Sequence, residues 1–84
     1  MYLHLGEEKV ISNQEIVGIF DYDLVKKSKT TKEYLELMDN DQVLEKVSKG
    51  KIVKSFIVTN NKVFLSPISS LTLQKRMFNQ LSQK

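Results

Sequence analysis

The chain has 84 residues, of which 13 are basic and 10 acidic, and it contains no cysteine. This composition excludes disulfide bonds and thiolate metal sites, and a chain of this length forms one domain, here residues 1–84, with modest stability as a monomer. No stretch approaches the roughly 18 apolar residues of a membrane span, and the N-terminus lacks the regions of a signal peptide, so we expect a cytoplasmic protein without membrane contact.

Charge is distributed unevenly along the sequence. Residues 1–41 contain five lysines and nine acids, for a net charge of −4, whereas residues 42–84 contain seven lysines, Arg76 and one acid, Glu45, for a net charge of +7. A basic half of this kind can bind phosphate, or it can contact the acidic half of a neighbouring copy. A third interpretation is that the lysines are solvated and only keep the protein soluble.

The first twenty residues predict an N-terminal hairpin, one helical turn and a third strand. Short apolar runs on either side of Gly6 alternate weakly, which places this glycine in the turn of the hairpin. Ser12 and Glu15 have the spacing of a capping box, which favours a helical turn. Residues 16–20 are β-branched or aromatic around a glycine and predict a buried strand.

A helix is predicted at about residues 30–39. Residues 24–29 are expected to form a basic connector, and residues 30–33 form a second capping box at the start of the helix. Asn40 is expected to end the helix in a left-handed conformation. Residues 41–47 could extend the helix or form a strand, and we favour the strand.

The fold centres on residues 52–66. Two apolar runs flank Asn60 and Asn61, and asparagine tolerates the left-handed backbone angles of tight hairpin turns. Because the apolar residues are nearly continuous, both faces of this hairpin are expected to be covered. The sequence therefore predicts an α+β fold, with a small mixed sheet centred on the hairpin and two short helices at about 30–39 and 70–82.

The C-terminal helix is expected to begin after Pro67, which ends the hairpin, with Ser69 or Ser70 as its N-cap. Its apolar face is expected to comprise Leu71, Leu73, Met77, Phe78 and Leu81. Residues predicted to be buried across the chain are Ile19, Phe20, Tyr34, Leu35, Phe56, Ile57, Val58, Val63, Leu65, Leu71 and Phe78.

Six basic residues are candidates for contact with phosphate groups. Four of them surround Gly50, where ammonium groups near a tight turn can clamp phosphate, and two lie on the C-terminal helix. The set is Lys46, Lys49, Lys51, Lys54, Lys75 and Arg76. No segment has the pattern of a recognition helix with several base-reading side chains, so we expect weak sequence readout.

Catalytic and cofactor-binding motifs are missing from the sequence. The single histidine, His4, has no partners at metal-ligand spacing, and no glycine-rich phosphate loop or nucleophile motif occurs. The acids Glu7, Glu8, Asp21 and Asp23 lie beside predicted turns, where solvated carboxylates are ordinary. We therefore expect no enzymatic activity, no cofactor, no metal and no small-molecule substrate.

Three segments carry a resemblance to a known family: MYLHLG, VISNQEIVGIFDYD and FIVTNNKVFLSPISSLTLQKR. Together they resemble the RemB branch of the RemA/RemB extracellular-matrix regulatory family, over nearly the whole chain. The RemA side of this family implies a small cytoplasmic regulator that binds DNA, forms rings and activates biofilm-matrix genes.

The resemblance also relates individual positions. RemA-like chains have a G-R-R-x-R type cluster before the central strand, where this chain has GKIVK at residues 50–54, with isoleucine in place of the middle basic residue. A second position that is basic in RemA-like chains matches Glu15, which reverses the sign of the charge. Lysine also offers phosphate a point charge in place of the two-pronged guanidinium of arginine.

Two functional hypotheses follow. In the first, the chain is a cytoplasmic DNA-binding regulator of RemB type that acts as a ring-type homo-oligomer and contacts the phosphates of double-stranded DNA through lysine patches. The alternative is a self-assembling protein-interaction module without nucleic-acid binding, whose acidic half engages the basic half of the next copy. The first hypothesis requires the six basic residues to be exposed, whereas the alternative buries many of them against acids.

Overall fold

The computed structural model describes residues 1–82, and within them it has two small sheets and three α-helices. The strands are β1 (Tyr2–Gly6), β2 (Lys9–Ser12), β3 (Ile16–Asp21), β4 (Leu44–Lys46), β5 (Ser55–Thr59) and β6 (Val63–Ser66). The helices are α1 (Leu24–Lys27), α2 (Lys29–Asn40) and α3 (Ser70–Ser82), and a 3₁₀ turn covers Asn13–Glu15. This content confirms the predicted α+β class.

The predicted central hairpin is the middle of the larger sheet. Its four strands have the order β3-β5-β6-β4, while β1 and β2 form a separate antiparallel pair. β5 is antiparallel to both β3 and β6, and β4 joins the other edge parallel to β6. Thr59 closes the β5–β6 turn, because both its amide (2.8 Å) and its hydroxyl (2.7 Å) donate to the carbonyl of Lys62.

Both faces of the central sheet are covered, as the nearly continuous apolar hairpin predicts. Phe56 and Ile57 are neighbours on β5 and face opposite sides, because side chains alternate along a strand. On one face, the sheet packs with the N-terminal hairpin and α3 in a core whose buried residues are Leu3, Leu5, Ile11, Ile57, Phe64 and Leu73. The core beneath α2 has as its buried residues Leu35, Phe56 and Val63.

Polar contacts fasten the N-terminal hairpin to the rest of the fold. The buried hydroxyl of Ser66 donates to the carbonyl of Leu5 (2.5 Å). On α3, the side-chain oxygen of Gln80 accepts from Nδ2 of Asn13 (2.8 Å), and its nitrogen donates to the carbonyl of Tyr2 (2.9 Å). These bonds hold α3 against β1, so the first and last elements of the chain lie side by side.

The start of α2 differs from the sequence prediction. Residues 24–29 contain the short helix α1, and Ser28 separates it from α2 with an extended backbone conformation. The hydroxyl of Ser28 accepts from the amide of Thr31 (3.2 Å), so the N-cap is Ser28 and the capping box predicted at residues 30–33 is wrong. Ser28 is a suitable cap because its hydroxyl gives an acceptor to an amide of the first turn that would otherwise have none.

The 3₁₀ turn and α3 also have serine caps, whereas the N-cap of α1 is Asp23, without a side-chain cap bond. The hydroxyl of Ser12 accepts from the amide of Gln14 (3.3 Å) and not from the amide of Glu15 as predicted. The donor is one residue earlier because this segment is a tight 3₁₀ turn. The hydroxyl of Ser69 accepts from the amide of Thr72 (3.2 Å), so Ser69 is the cap of α3.

The segment between α2 and β5 is less regular than predicted. The left-handed residue after α2 is Gln42 (φ 61°), and the prediction that Asn40 takes this role is wrong because Asn40 is the last residue of the helix itself. The strand favoured within residues 41–47 is confirmed as β4. Ile52 and Val53 lie outside β5, in the loop that precedes it.

Burial at the β3 edge is lower than predicted. β3 pairs only with β5, so it is an edge strand, and Phe20 and Val17 are exposed where the sequence predicts a buried strand. Tyr34 is also at the surface. The predicted residues that are buried are Leu35, Phe56, Ile57 and Val63, and those that are half-buried are Ile19, Val58 and Leu65.

The apolar residues of α3 divide between two sides of the helix. Leu73 and Met77 are four residues apart and face the core, whereas Leu71 and Phe78, seven apart, lie on the other side and are 60% and 69% exposed. The prediction that Leu71 and Phe78 are buried is therefore wrong for this fold. The side chain of Leu81 lies outside the described residues.

Candidate nucleic-acid interface

The four lysines predicted around Gly50 lie at one end of the central sheet. The amide of Val47 donates to the carbonyl of Leu65 (2.9 Å), and the amide of Lys54 donates to the carbonyl of Ser66 (2.8 Å). Both ends of the connecting segment are thereby fixed beside the end of β6. We call residues 46–54 the lysine loop; its exposed lysines are Lys46, Lys49, Lys51 and Lys54.

Three further lysines reach the same end of the sheet from the other half of the sequence. The amide of Tyr22, just after β3, donates to the carbonyl of Lys54 (3.0 Å), and α1 follows directly. The exposed lysines of α1 and of the start of α2 are Lys26, Lys27 and Lys29. We refer to them and the lysine loop together as the basic end. These lysines belong to the half of the chain with a net negative charge, so the charge of that half does not indicate them. Their clustering within residues 24–32 is nevertheless visible in the sequence.

Carboxylates also lie near the basic end. Asp21 is the last residue of β3 and Asp23 follows the strand, and the side chain of Asp21 accepts from the amide of Asp23 (2.9 Å). Within residues 1–82, the only ion pair of a basic-end lysine joins Lys29 to Glu33 at 3.9 Å on the solvent-exposed side of α2. The ammonium groups are therefore available for an external anion, such as a phosphate.

Lys75 and Arg76 lie on α3, apart from the lysine loop in sequence and in secondary structure. The guanidinium of Arg76 donates to the carbonyl of His4 on β1 (3.3 Å). The ring nitrogen Nε2 of His4 in turn contacts the carbonyl of Glu7, in the β1–β2 turn. Arg76 thus has a structural contact that the sequence did not indicate, although both Lys75 and Arg76 are exposed.

Carboxylates are concentrated at the opposite end of the central sheet. The amide of Asn60, in the β5–β6 turn, donates to the carbonyl of Glu15 (3.2 Å). α2 ends on the same side, since the amide of Val63 donates to the carbonyl of Val43, shortly after the helix. The two ends are about 15 Å apart, because β5 spans five residues at about 3.4 Å each. We call this the acidic end, and its carboxylates are Glu15, Asp39 and Asp41.

Two lysines away from the basic end are paired with one carboxylate, that of Glu45 on β4. The ammonium groups of Lys9 and Lys62 each lie 3.2 Å from one carboxylate oxygen of Glu45. Lys9 also lies 4.8 Å from the ring centroid of Phe64, where a cation is attracted to the aromatic face. Partial burial raises the pKa of Glu45, but the hydrogen bonds and charges of Lys62 and Lys9 outweigh it, so the net pKa is below its ordinary value.

The part of the chain that the structure describes has no group of side chains suited to a metal ion and no helix able to cross a membrane. Among residues 1–82, no three histidine, cysteine or acidic side chains are grouped so that they could hold a metal ion. The helices within the same range are too short or too polar to cross a membrane.

Comparison with known proteins gives two matches. A family model described as RemA-like, Extracellular matrix regulatory protein A-like, matches residues 2–77. The chain is also 40% identical over 76 residues to Extracellular matrix regulatory protein B of Bacillus subtilis (strain 168), an alignment that covers 90% of this chain and 89% of that protein. The family match includes the lysine loop, the acidic end and residues 70–77 of α3.

Proposed function

Since the chain belongs to the RemA-like family of extracellular matrix regulatory proteins, we propose that it is a cytoplasmic regulator that binds double-stranded DNA as a homo-oligomer. In this proposal the basic end contacts phosphates of the DNA backbone. The name of the Bacillus subtilis relative, a regulatory protein of the extracellular matrix, supports a role in regulating matrix or biofilm genes.

The observation that carries the proposal is the convergence of exposed lysines from two separate segments on one end of the sheet. Phosphate contacts by lysine supply affinity and position a protein on DNA, but they carry little sequence information. The basic end has no long helix with base-reading side chains, so target choice would depend on DNA shape or curvature.

Assembly is supported by the separation of charge between the two ends of the domain. A contact between the basic end of one copy and the acidic end of the next is heterologous, and such contacts close into a ring when the rotation between copies permits it. A ring repeats each lysine patch, so contacts that are weak singly become collectively strong. DNA and the next copy would then share the basic end, with different lysines serving each.

The DNA hypothesis is tested by titrating fluorescent duplex DNA with protein at two salt concentrations. The variants are the double substitution Lys51→Ala/Lys54→Ala and, as a matched control, Lys62→Ala, which removes a lysine outside the basic end. We expect the double variant to bind all duplex sequences more weakly. The slope of log K against log salt concentration should become shallower by about 0.9 for each lost contact, since each contact releases counterions. The control is expected to bind like the wild type.

Glu15→Arg tests whether DNA bound at the basic end also comes close to the acidic end. It removes a repelling carboxylate and supplies a guanidinium that can bind phosphate with two hydrogen bonds, so we expect tighter binding. Within one subunit Glu15 lies about 15 Å from the basic end, so a gain would indicate that DNA also reaches the acidic end of the same or of a neighbouring copy.

A second candidate function, a self-assembling protein-interaction module without DNA binding, is favoured by Glu15 and by the acids beside it at the acidic end. It predicts no binding of duplex DNA by the wild type even at low salt, and no rescue by Glu15→Arg. That pair of results would replace the DNA proposal with this one.

A further inference from the structure

The lysine loop is fixed at its two ends and protrudes between them. Backbone hydrogen bonds to β6 hold Val47 and Lys54. Next to these residues in the sequence, Ser48 is buried and Val53 is half-buried. Residues 49–52, which lie between them, are all exposed. We call residues 49–52 the loop tip.

The loop tip carries one large apolar side chain, that of Ile52. It is 81% exposed, the highest value among the large apolar side chains that the structure describes. A single exposed apolar residue is ordinary on a protein surface. What distinguishes Ile52 is its position, because Lys51 directly precedes it, Lys54 follows two residues later, and residues 46–54 contain no acid.

The charges around the loop tip favour an anionic partner. Within residues 1–82, none of the four lysines of the loop belongs to an ion pair. Asp21 and Asp23 lie on one side of the loop, since Asp21 is paired with Ser55 on β5. Glu45, just before the loop, is already paired with two lysines outside it. Two carboxylates do not balance four ammonium groups, so the surroundings of Ile52 are positive.

The spacing of the flanking lysines suits the minor groove of DNA. Lys51 and Lys54 are three residues apart, so their Cα atoms are separated by at most about 11 Å. The minor groove is about 6 Å wide, and the long lysine side chains can reach phosphates along both of its sides. Proteins that bind there commonly insert an apolar side chain between two base pairs, which unstacks them and kinks the duplex.

We propose that Ile52 is such a wedge: on DNA held at the basic end, its side chain enters the minor groove and inserts partly between two base pairs. Lys51 and Lys54 contact the phosphates on either side. This inference rests on the proposed DNA binding and adds a means of target choice to it. Pyrimidine–purine steps such as TA unstack easily, whereas A-tracts are stiff, so the wedge favours sites with flexible steps.

The test measures affinity and bending on two fluorescent duplexes of equal length and equal A·T content. One duplex has TA steps at its centre, and the other has an uninterrupted A-tract. Fluorescence anisotropy gives the affinity, and energy transfer between dyes at the two duplex ends reports the bend. The variants are Ile52→Ala, Ile52→Leu and, as a matched control, Val17→Ala, which shortens an aliphatic side chain that is 68% exposed on β3.

We expect Ile52→Ala to bind the TA duplex about tenfold more weakly than the wild type, because it removes apolar atoms that are buried between base pairs. The slope of log K against log salt concentration should stay as in the wild type, since no phosphate contact is lost. The energy transfer and the preference for the TA duplex should both fall. Ile52→Leu should retain them, because leucine is also a common wedge, and Val17→Ala should behave like the wild type.

Ile52→Arg separates a wedge from a simple change of charge. The added guanidinium can contact a phosphate, so the salt dependence should become steeper. Bending and the preference for the TA duplex should nevertheless be lost, since the apolar side chain is gone. Unchanged bending by Ile52→Arg would contradict the wedge and assign the bend to charge alone.

The inference is overturned, while the DNA proposal stands, if the wild type binds both duplexes equally or if Ile52→Ala binds and bends the TA duplex like the wild type. It is also overturned if Ile52→Ala, but not Val17→Ala, gives smaller species than the wild type in sedimentation velocity, because Ile52 then contacts a second copy. Absence of any duplex binding by the wild type at low salt overturns the DNA proposal and this inference together.

Discussion

Two leucines on the same helix provide a sharp test of the packing of α3. Leu73 is fully buried between the N-terminal hairpin and the central sheet, whereas Leu71, two residues earlier, is 60% exposed. Leu73→Ala should destabilise the domain by about 2–5 kcal/mol, because it removes buried apolar atoms and leaves a cavity. Leu71→Ala should cost less than about 1 kcal/mol, because the leucine side chain is mostly exposed to solvent in the folded protein and little buried apolar surface is lost. Alanine also has the higher helix propensity.

The difference is large relative to the stability of a domain of this size. For 84 residues, a free energy of unfolding of about 4–12 kcal/mol is typical. Urea unfolding followed by circular dichroism measures both variants, and thermal unfolding should show Tm lowered by about 4–8 °C for each kcal/mol lost. Equal costs for Leu71→Ala and Leu73→Ala in dilute protein would refute the orientation of α3 described here. A cost at Leu71 that appears only at high protein concentration would locate this residue in a contact between copies.

Further predictions concern a cap, two glycines and an ion-pair cluster. Ser69→Ala removes the acceptor for the amide of Thr72 and should lower the free energy of unfolding by about 1 kcal/mol in urea titrations, whereas Ser70→Ala should change it little. Gly6→Ala should be more destabilising than Gly50→Ala: both have left-handed backbone angles (φ +136° and +73°), but a Cβ at Gly6 also crowds Pro67 at 3.2 Å, and one at Gly50 meets open space. Comparable losses of Tm in the two variants would contradict that crowding. Because the pKa of Glu45 is lowered in the folded state, its contribution to stability is present above its ordinary value of 4.5 and is lost as the pH falls through the lowered value. The free energy of unfolding of the wild type should therefore exceed that of Glu45→Gln by less than about 1 kcal/mol near neutral pH, as expected for a partly exposed ion pair, and by almost nothing in acid. A difference between the two proteins that grows as the pH falls would contradict the lowered pKa.

Local sequence patterns predict the elements of this fold well. The central hairpin around Asn60 and Asn61, the helix near residues 30–39, the C-terminal helix and the N-terminal hairpin are all present close to the predicted positions. These features depend on interactions between near neighbours, such as β-branched runs, turn residues and serine caps. A reader of the sequence can therefore place them without knowledge of the tertiary fold.

The order of strands in the sheet depended on contacts between distant residues. Residues 16–20 are apolar enough for a central strand, yet β3 lies at an edge and leaves Val17 and Phe20 at the surface. On α3, five apolar positions are too many for one face, and only packing against β1 and β5 decided that Leu73 is buried and Leu71 is exposed. Composition is the same in either arrangement, so it does not distinguish them.

The candidate interface was only half visible in the sequence. The lysine loop is a contiguous segment, and its lysines were identified from their spacing around Gly50. The lysines of α1 were missed because they belong to a half of the chain with negative net charge, and only the pairing of β3 with β5 brings that segment beside Lys54. A chain can carry a local pattern in its sequence, but the strand pairing of the folded chain determines which distant charges become neighbours.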